Sequence, residues 1–148
     1  MNKTVFVAMP VSDNLDSNGV FRPERKAFFG GVVDRIIEAG FAVLSAGTNE
    51  QWGAVKLKPI EFTKYDIDSL MVCDALIVVT NERLNRDMYL ETGIAVARGI
   101  PILFFIPAST KLTYMGIGLE ELGIAKVFRF DSDAEGLALV NTEILRLD

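Results

Sequence analysis

Apolar runs of four to six residues, rich in Val, Ile and Phe, alternate along the chain with longer stretches in which apolar residues recur at spacings of three and four. The first kind of run predicts β-strand and the second amphipathic helix. Strands are predicted at Thr4 to Met9, Phe41 to Ser45, Ala75 to Thr80, Ile100 to Ile106 and Lys126 to Phe130. The runs ALIVV and PILFFI lack apolar–polar alternation, as expected of parallel strands covered on both faces. Between the first two strands, Phe29, Val32, Val33, Ile36 and Ile37 mark a helix that Gly40 stops. Pro59 suits the first turn of a second helix reaching about Val72. Asp87 is placed to cap a third, which runs to a stop at Gly99. A short helix near Gly118 to Leu122 and a last one from about Asp133 to Leu145 complete the alternation.

This alternation predicts an α/β fold with a five-stranded parallel sheet in a single domain spanning residues 1–148. The form expected of it is three-layer and flavodoxin/Rossmann-like, with strand order 2-1-3-4-5. Two long segments without periodicity, Pro10 to Pro23 and Ala46 to Lys58, follow the carboxyl ends of strands. Open α/β sheets bind ligands at that edge, so both segments are expected to line a site. The sequence VAMPVSDN after the first strand is neither a G-x-G-x-x-G fingerprint nor a P-loop, which weakens dinucleotide and NTPase readings.

Composition narrows the chemistry. The chain of 148 residues contains no histidine, which removes Ser-His-Asp and Cys-His nucleophiles and the common His-bearing zinc sites. Carboxylates are left to do acid, base or nucleophile work. A net charge of −5, with no block of basic residues, argues against nucleic acid and for a small-molecule partner. No apolar run approaches the length of a membrane span and the N-terminal run is too short for a signal core, so a cytoplasmic protein is expected. The single cysteine, Cys73, lies in an apolar stretch and is expected to be a packed thiol.

Glu91 is the first candidate. It falls near the start of the helix after the third strand, where backbone N–H groups and the helix dipole favour a charged carboxylate; an acidic residue that only stabilises a helix start is the alternative. Asp66 lies four residues from both Phe62 and Leu70, within an apolar stripe, whereas Asp68 fits a solvated position. A carboxylate in such a stripe is either a satisfied cap or an active-site acid. Trp52 and Gly53 stand in the second long segment, where the indole could stack on a base or pack as a lid. Arg22, Arg25 and Lys26 could meet a phosphate or simply be solvated.

Taken together, VFVAMP, NEQWGAVKLKPIEFTKYDIDSLMVCDALIVV and YLETGIAVARGIPILFF resemble the nucleoside 2-deoxyribosyltransferase superfamily, and within it the nucleotide N-glycosidases of antibiotic pathways that act on CMP-like substrates. The likeness runs from about Val5 to Pro107 in the same order. It implies that Glu91, in Leu-Glu-Thr-Gly, attacks the anomeric carbon and forms a glycosyl ester, as in a retaining glycosidase whose leaving group is a base. It implies that Asp66 shares or donates a proton to that base. Ala8, Met9, Ser12, Trp52, Gly53, Asn85, Asp87 and Met88 are implied to line the substrate pocket. Asp87 and Met88 replace a small Gly-Thr-like pair found in many relatives, and Asp87 would repel a phosphate. Phe6 stands where many transferases carry a Tyr that orients the nucleophile, which points to hydrolysis. The resemblance thus implies hydrolysis of a nucleoside 5′-monophosphate, with a CMP-like pyrimidine as the candidate, and base exchange on 2′-deoxynucleosides or non-catalytic nucleotide binding as alternatives. No metal or organic cofactor is implied. Relatives assemble as homodimers or larger homo-oligomers with shared sites, and Leu112 to Gly118 is the segment expected to reach a neighbour.

Overall fold

The computed structural model describes residues 2–147. Five strands, β1 (Thr4–Ala8), β2 (Ala42–Ser45), β3 (Ala75–Val79), β4 (Ile102–Pro107) and β5 (Ala125–Phe130), form one parallel sheet in the order β2-β1-β3-β4-β5. This is the predicted topology. Successive side chains of a strand face opposite sides of a sheet. Val5, Val7, Ile77, Val79, Leu103 and Phe105 therefore pack on one side with Phe29, Val32 and Ile36 of α1 (Pro23–Glu38) and Val140 of α6 (Asp133–Glu143). Phe6, Ala8, Leu76, Val78, Phe104 and Ile106 pack on the other, against Leu70 of α3 (Pro59–Val72) and Met88 and Ala95 of α4 (Arg86–Arg98). A short α2 (Ala46–Asn49) follows β2, and α5 (Tyr114–Glu121) precedes β5. No helix of the described residues is long and apolar enough to cross a membrane.

Several boundaries differ from the sequence expectation, each for a local reason. Asn85, not Asp87, caps α4: its side-chain oxygen accepts from the Met88 N–H at 3.0 Å, and Asp87 is already helical. Helix α5 begins at Tyr114 rather than Gly118, because the Thr113 hydroxyl accepts from the Gly116 N–H at 3.1 Å and offsets the poor helix propensity of Gly116 and Gly118. The segment expected to be irregular after β2 folds into α2, capped by Ser45, and a 3-10 turn at Gln51–Gly53. Ile37 is 53 % exposed, and Phe28 takes the core position expected of it. Gly99 ends α4 in the left-handed conformation, at φ 66°, as its place in the pattern predicts.

Candidate active site

The strand order reverses beside β1: the chain leaves β1 for β2 on one side and returns to β3 on the other. The segments after β1 and β3 diverge there, opening a crevice at the carboxyl edge of the sheet. A cleft of about 460 Å³ occupies that place. Phe6, Val7 and Ala8 of β1 form its floor, with Met9 and Ser12 from the segment that follows. Ala46 and Glu50 come from the segment after β2, Asp66 and Ile67 from α3, Asn85 from the N-cap of α4, and Asp87, Met88 and Glu91 from α4 itself.

The helical periods bring Asp66 and Glu91 together. Asp66 lies on the α3 face that carries Leu70, and Glu91 on the α4 face that carries Met88 and Ala95, so both carboxyls turn inward against the second core layer. Asp66 is 5 % and Glu91 9 % exposed. The two side chains are within hydrogen-bonding reach of each other, yet Asp66 Oδ1 and Glu91 Oε2 are buried and accept from no N–H or O–H donor. Two carboxylates cannot bond to each other without a proton between them; one shared proton satisfies both. Burial raises the affinity of both for protons, and the facing charge of Asp66 raises that of Glu91 further.

This corrects the expectation that the helix dipole keeps Glu91 ionised. Glu91 is the sixth residue of α4, beyond the first turn where the dipole acts, and loss of solvent dominates instead. Asp68, by contrast, is solvated and pairs with Lys64, as expected.

Of the residues implied by the sequence resemblance, Ala8, Met9, Ser12, Asp66, Asn85, Asp87, Met88 and Glu91 all meet at the cleft. Asn85 spends its carbonyl oxygen on the helix cap, which leaves its NH₂ group for a ligand. Trp52 and Gly53 do not line the cleft. Trp52 packs edge-on against Phe21, ring centroids 5.3 Å apart, and joins the core on the α1 side. Stacking on a base is therefore not open to it in this arrangement. Its main chain is left-handed, at φ 57°, as are Gln51 at 49° and Gly53 at 92°. A side chain at Gly53 would stand 2.6 Å from the Gly19 carbonyl oxygen, so only glycine fits. Arg22 donates to the Asp13 carbonyl at 3.0 Å and Arg25 pairs with Glu82; neither arginine lines the cleft.

The same turn places Glu50 in the cleft, a residue the sequence pattern did not single out. Its Oε2 is buried without a donor, and burial raises its proton affinity against the opposing pull of Lys56. The only signal in the sequence is an acidic residue in a segment that follows a strand end. Glu50, Asp66, Asp87 and Glu91 are the charged residues of the lining; none of it is basic. Among the described residues no group of three or more Cys, Asp or Glu is placed to hold a metal ion.

No family model matches the sequence, and no curated protein sequence matches it. Solved structures do. The CMP N-glycosidase BcmB of Clostridium botulinum superposes with a TM-score of 0.70 at 19% identity, over 95% of this chain and 99% of that one. The solution structure of BlsM gives a TM-score of 0.76 at 19% identity, over 99% of this chain and 91% of that one. A 2-deoxyribosyltransferase from Bacillus psychrosaccharolyticus gives 0.62 at 16% identity, over 89% and 90%. The chain shares the fold of these proteins along nearly its whole length.

Proposed function

We propose that this protein is an enzyme that breaks the N-glycosidic bond of a nucleoside or nucleotide through a glycosyl ester on Glu91, with Asp66 moving the proton. The observation that carries this reading is the pair of buried, donorless carboxyls facing each other in a ligand-sized cleft. The named activities of BcmB and the Bacillus transferase, on the same fold, support it. The proton accounting closes. The resting pair holds one proton; with it on Asp66, Glu91 is the nucleophile. Glu91 attacks C1′, the bond to the base breaks, its electron pair stays on the heterocycle, and Asp66 supplies the proton. Water then attacks C1′, releases the Glu91 carboxylate and returns a proton to Asp66. A purely nucleotide-binding domain gives no reason to bury two carboxyls that repel each other.

Hydrolysis is preferred over base exchange because Phe6, on the cleft floor, has no hydroxyl to hold Glu91. A CMP-like pyrimidine nucleotide is suggested by the sequence resemblance and by the activity named for BcmB. The lining argues for the free nucleoside instead, since a 5′-phosphate would enter among carboxylates and meet no lysine or arginine. We also propose that copies of the chain pair through the outer faces of α3, α4 and α5. Ile60, Leu90, Tyr114 and Met115 are exposed there, and Ile67 and Leu90 reach the cleft itself. Leu112 to Gly118 would then reach a neighbour's cleft.

The test is a panel of ribo- and 2′-deoxynucleosides with and without 5′-phosphate, followed by chromatography of free base. Release is expected from wild type and, at least a thousandfold slower, from Glu91→Ala. Base release unaltered in Glu91→Ala, or absent with every substrate, contradicts the proposal.

A further inference from the structure

Resting on that reading of the cleft, we infer that it selects nucleosides whose heterocycle carries a fixed positive charge, such as an N-alkylated purine or a pyridinium, over neutral ones. Four carboxylates line the cleft with no basic residue among them. Asp66 and Glu91, both of the lining, are nine-tenths buried, and each has one oxygen that accepts from no N–H or O–H donor. The charges that act on Asp66 are those of Glu50 and Asp87, and those that act on Glu91 are Asp66 and Asp87; no cation offsets either. Lys56 acts on Glu50, where burial outweighs it. Arg25 is paired with Glu82 and Arg83 with Asp13 at 3.6 Å, while Arg86 and Lys58, which adjoin cleft residues in the chain, are not part of the lining. The carboxylates are also not gathered as a metal cage would need. Charges buried with no internal partner are costly unless a ligand supplies one.

A neutral nucleoside leaves this repulsion in place, and a phosphate adds to it. A cationic base relieves it, which lowers the proton affinity of the Asp66–Glu91 pair and ionises the nucleophile as the ligand binds. The chemistry balances without a general acid. Binding displaces the shared proton to solvent, Glu91 attacks C1′, and the C1′–N bond breaks with its electron pair neutralising the leaving heterocycle. Water then attacks C1′, frees Glu91 and gives its proton to Asp66, which restores the resting pair. The sum is cation plus water to neutral base, sugar and one proton.

The test compares kcat/KM for base release from guanosine and from its N7-methylated, cationic form in wild type, Asp87→Asn and Glu50→Gln. Comparing each substrate across variants cancels the greater chemical lability of the methylated base. Each variant is expected to lower the cation-to-neutral ratio about tenfold, chiefly by raising KM for the methylated nucleoside, and added salt is expected to act in the same direction on wild type. Asp87 is exposed, so its variant does not put folding at risk. A ratio unchanged in both variants while guanosine is cleaved overturns this inference and leaves N-glycosidic cleavage standing. Release from neither nucleoside nor any other in the panel overturns both.

Discussion

A carboxylate nucleophile must be ionised when it attacks, yet Glu91 sits where ionisation is most opposed. Burial, the largest cause for both groups, pushes Asp66 up to about 6 and Glu91 up to about 9. Between those values the pair holds one proton, mostly on Glu91; the reactive form is the one in which that proton has passed to Asp66, leaving Glu91 as the nucleophile and Asp66 as the acid. For a neutral nucleoside, kcat/KM is expected to rise through pH 6, where the pair loses its first proton, and to fall through pH 9, where it loses its second and no acid is left. A profile flat from pH 5 to 10 would contradict the pairing. Stability follows with a definite sign. Both folded-state values lie above the unfolded ones, so the opposition to ionisation is absent below about pH 4 and grows as pH rises through about 9. Glu91→Gln removes it, and its melting temperature is expected to exceed wild type by about 5 °C at pH 9, fading toward pH 4. An equal gain at both pH values would show that burial does not hold the group protonated.

At the scale of elements, the turn after β2 decides what faces the cleft. Glu50, Trp52 and Gly53 are near neighbours, but the left-handed stretch from Gln51 to Gly53 sends Trp52 to the core while Glu50 lines the cleft. Gly53→Ala is expected to cost about 2 kcal/mol or more, because it combines a positive φ with collision against Gly19. Gly99→Ala shares the positive φ but meets open space, and should cost about 1 kcal/mol. Urea denaturation of both variants measures the difference; equal losses would mean that the close approach is not what demands glycine. The contrast also marks what the sequence discloses. Asp66 was legible as inward because its neighbours repeat with the helical period, and so were the runs of β3 and β4. Periodicity says nothing about a turn, so the outward or inward sense of Trp52 and Glu50 was not legible. Nor was the start of α5, where the hydroxyl of Thr113 prevails over two glycines.

For the whole molecule, the parallel topology puts three chain segments at one edge of the sheet. Alternation does not fix the order 2-1-3-4-5, but the parallel sheet itself was readable from strand and helix alternation. The outer helical surface was less so, since Tyr114, 93 % exposed, and Leu90, 67 % exposed, read as ordinary apolar helix positions until their exposure is seen. If copies pair across that surface, sedimentation at micromolar concentration should give a dimer or larger species, and Leu90→Asp should shift it toward monomer. A monomer in wild type would place the entire site within one chain. The ester on Glu91 remains the centre of the account. It is tested most directly by incubation with a 2′-deoxy-2′-fluoroarabinosyl nucleoside, whose fluorine slows breakdown of a glycosyl ester by disfavouring the oxocarbenium-like transition state. Intact-mass spectrometry should show one added fluorosugar, which peptide mapping assigns to Glu91, with free base released in equal amount. Base release without any adduct, or an adduct on a different residue, would contradict it.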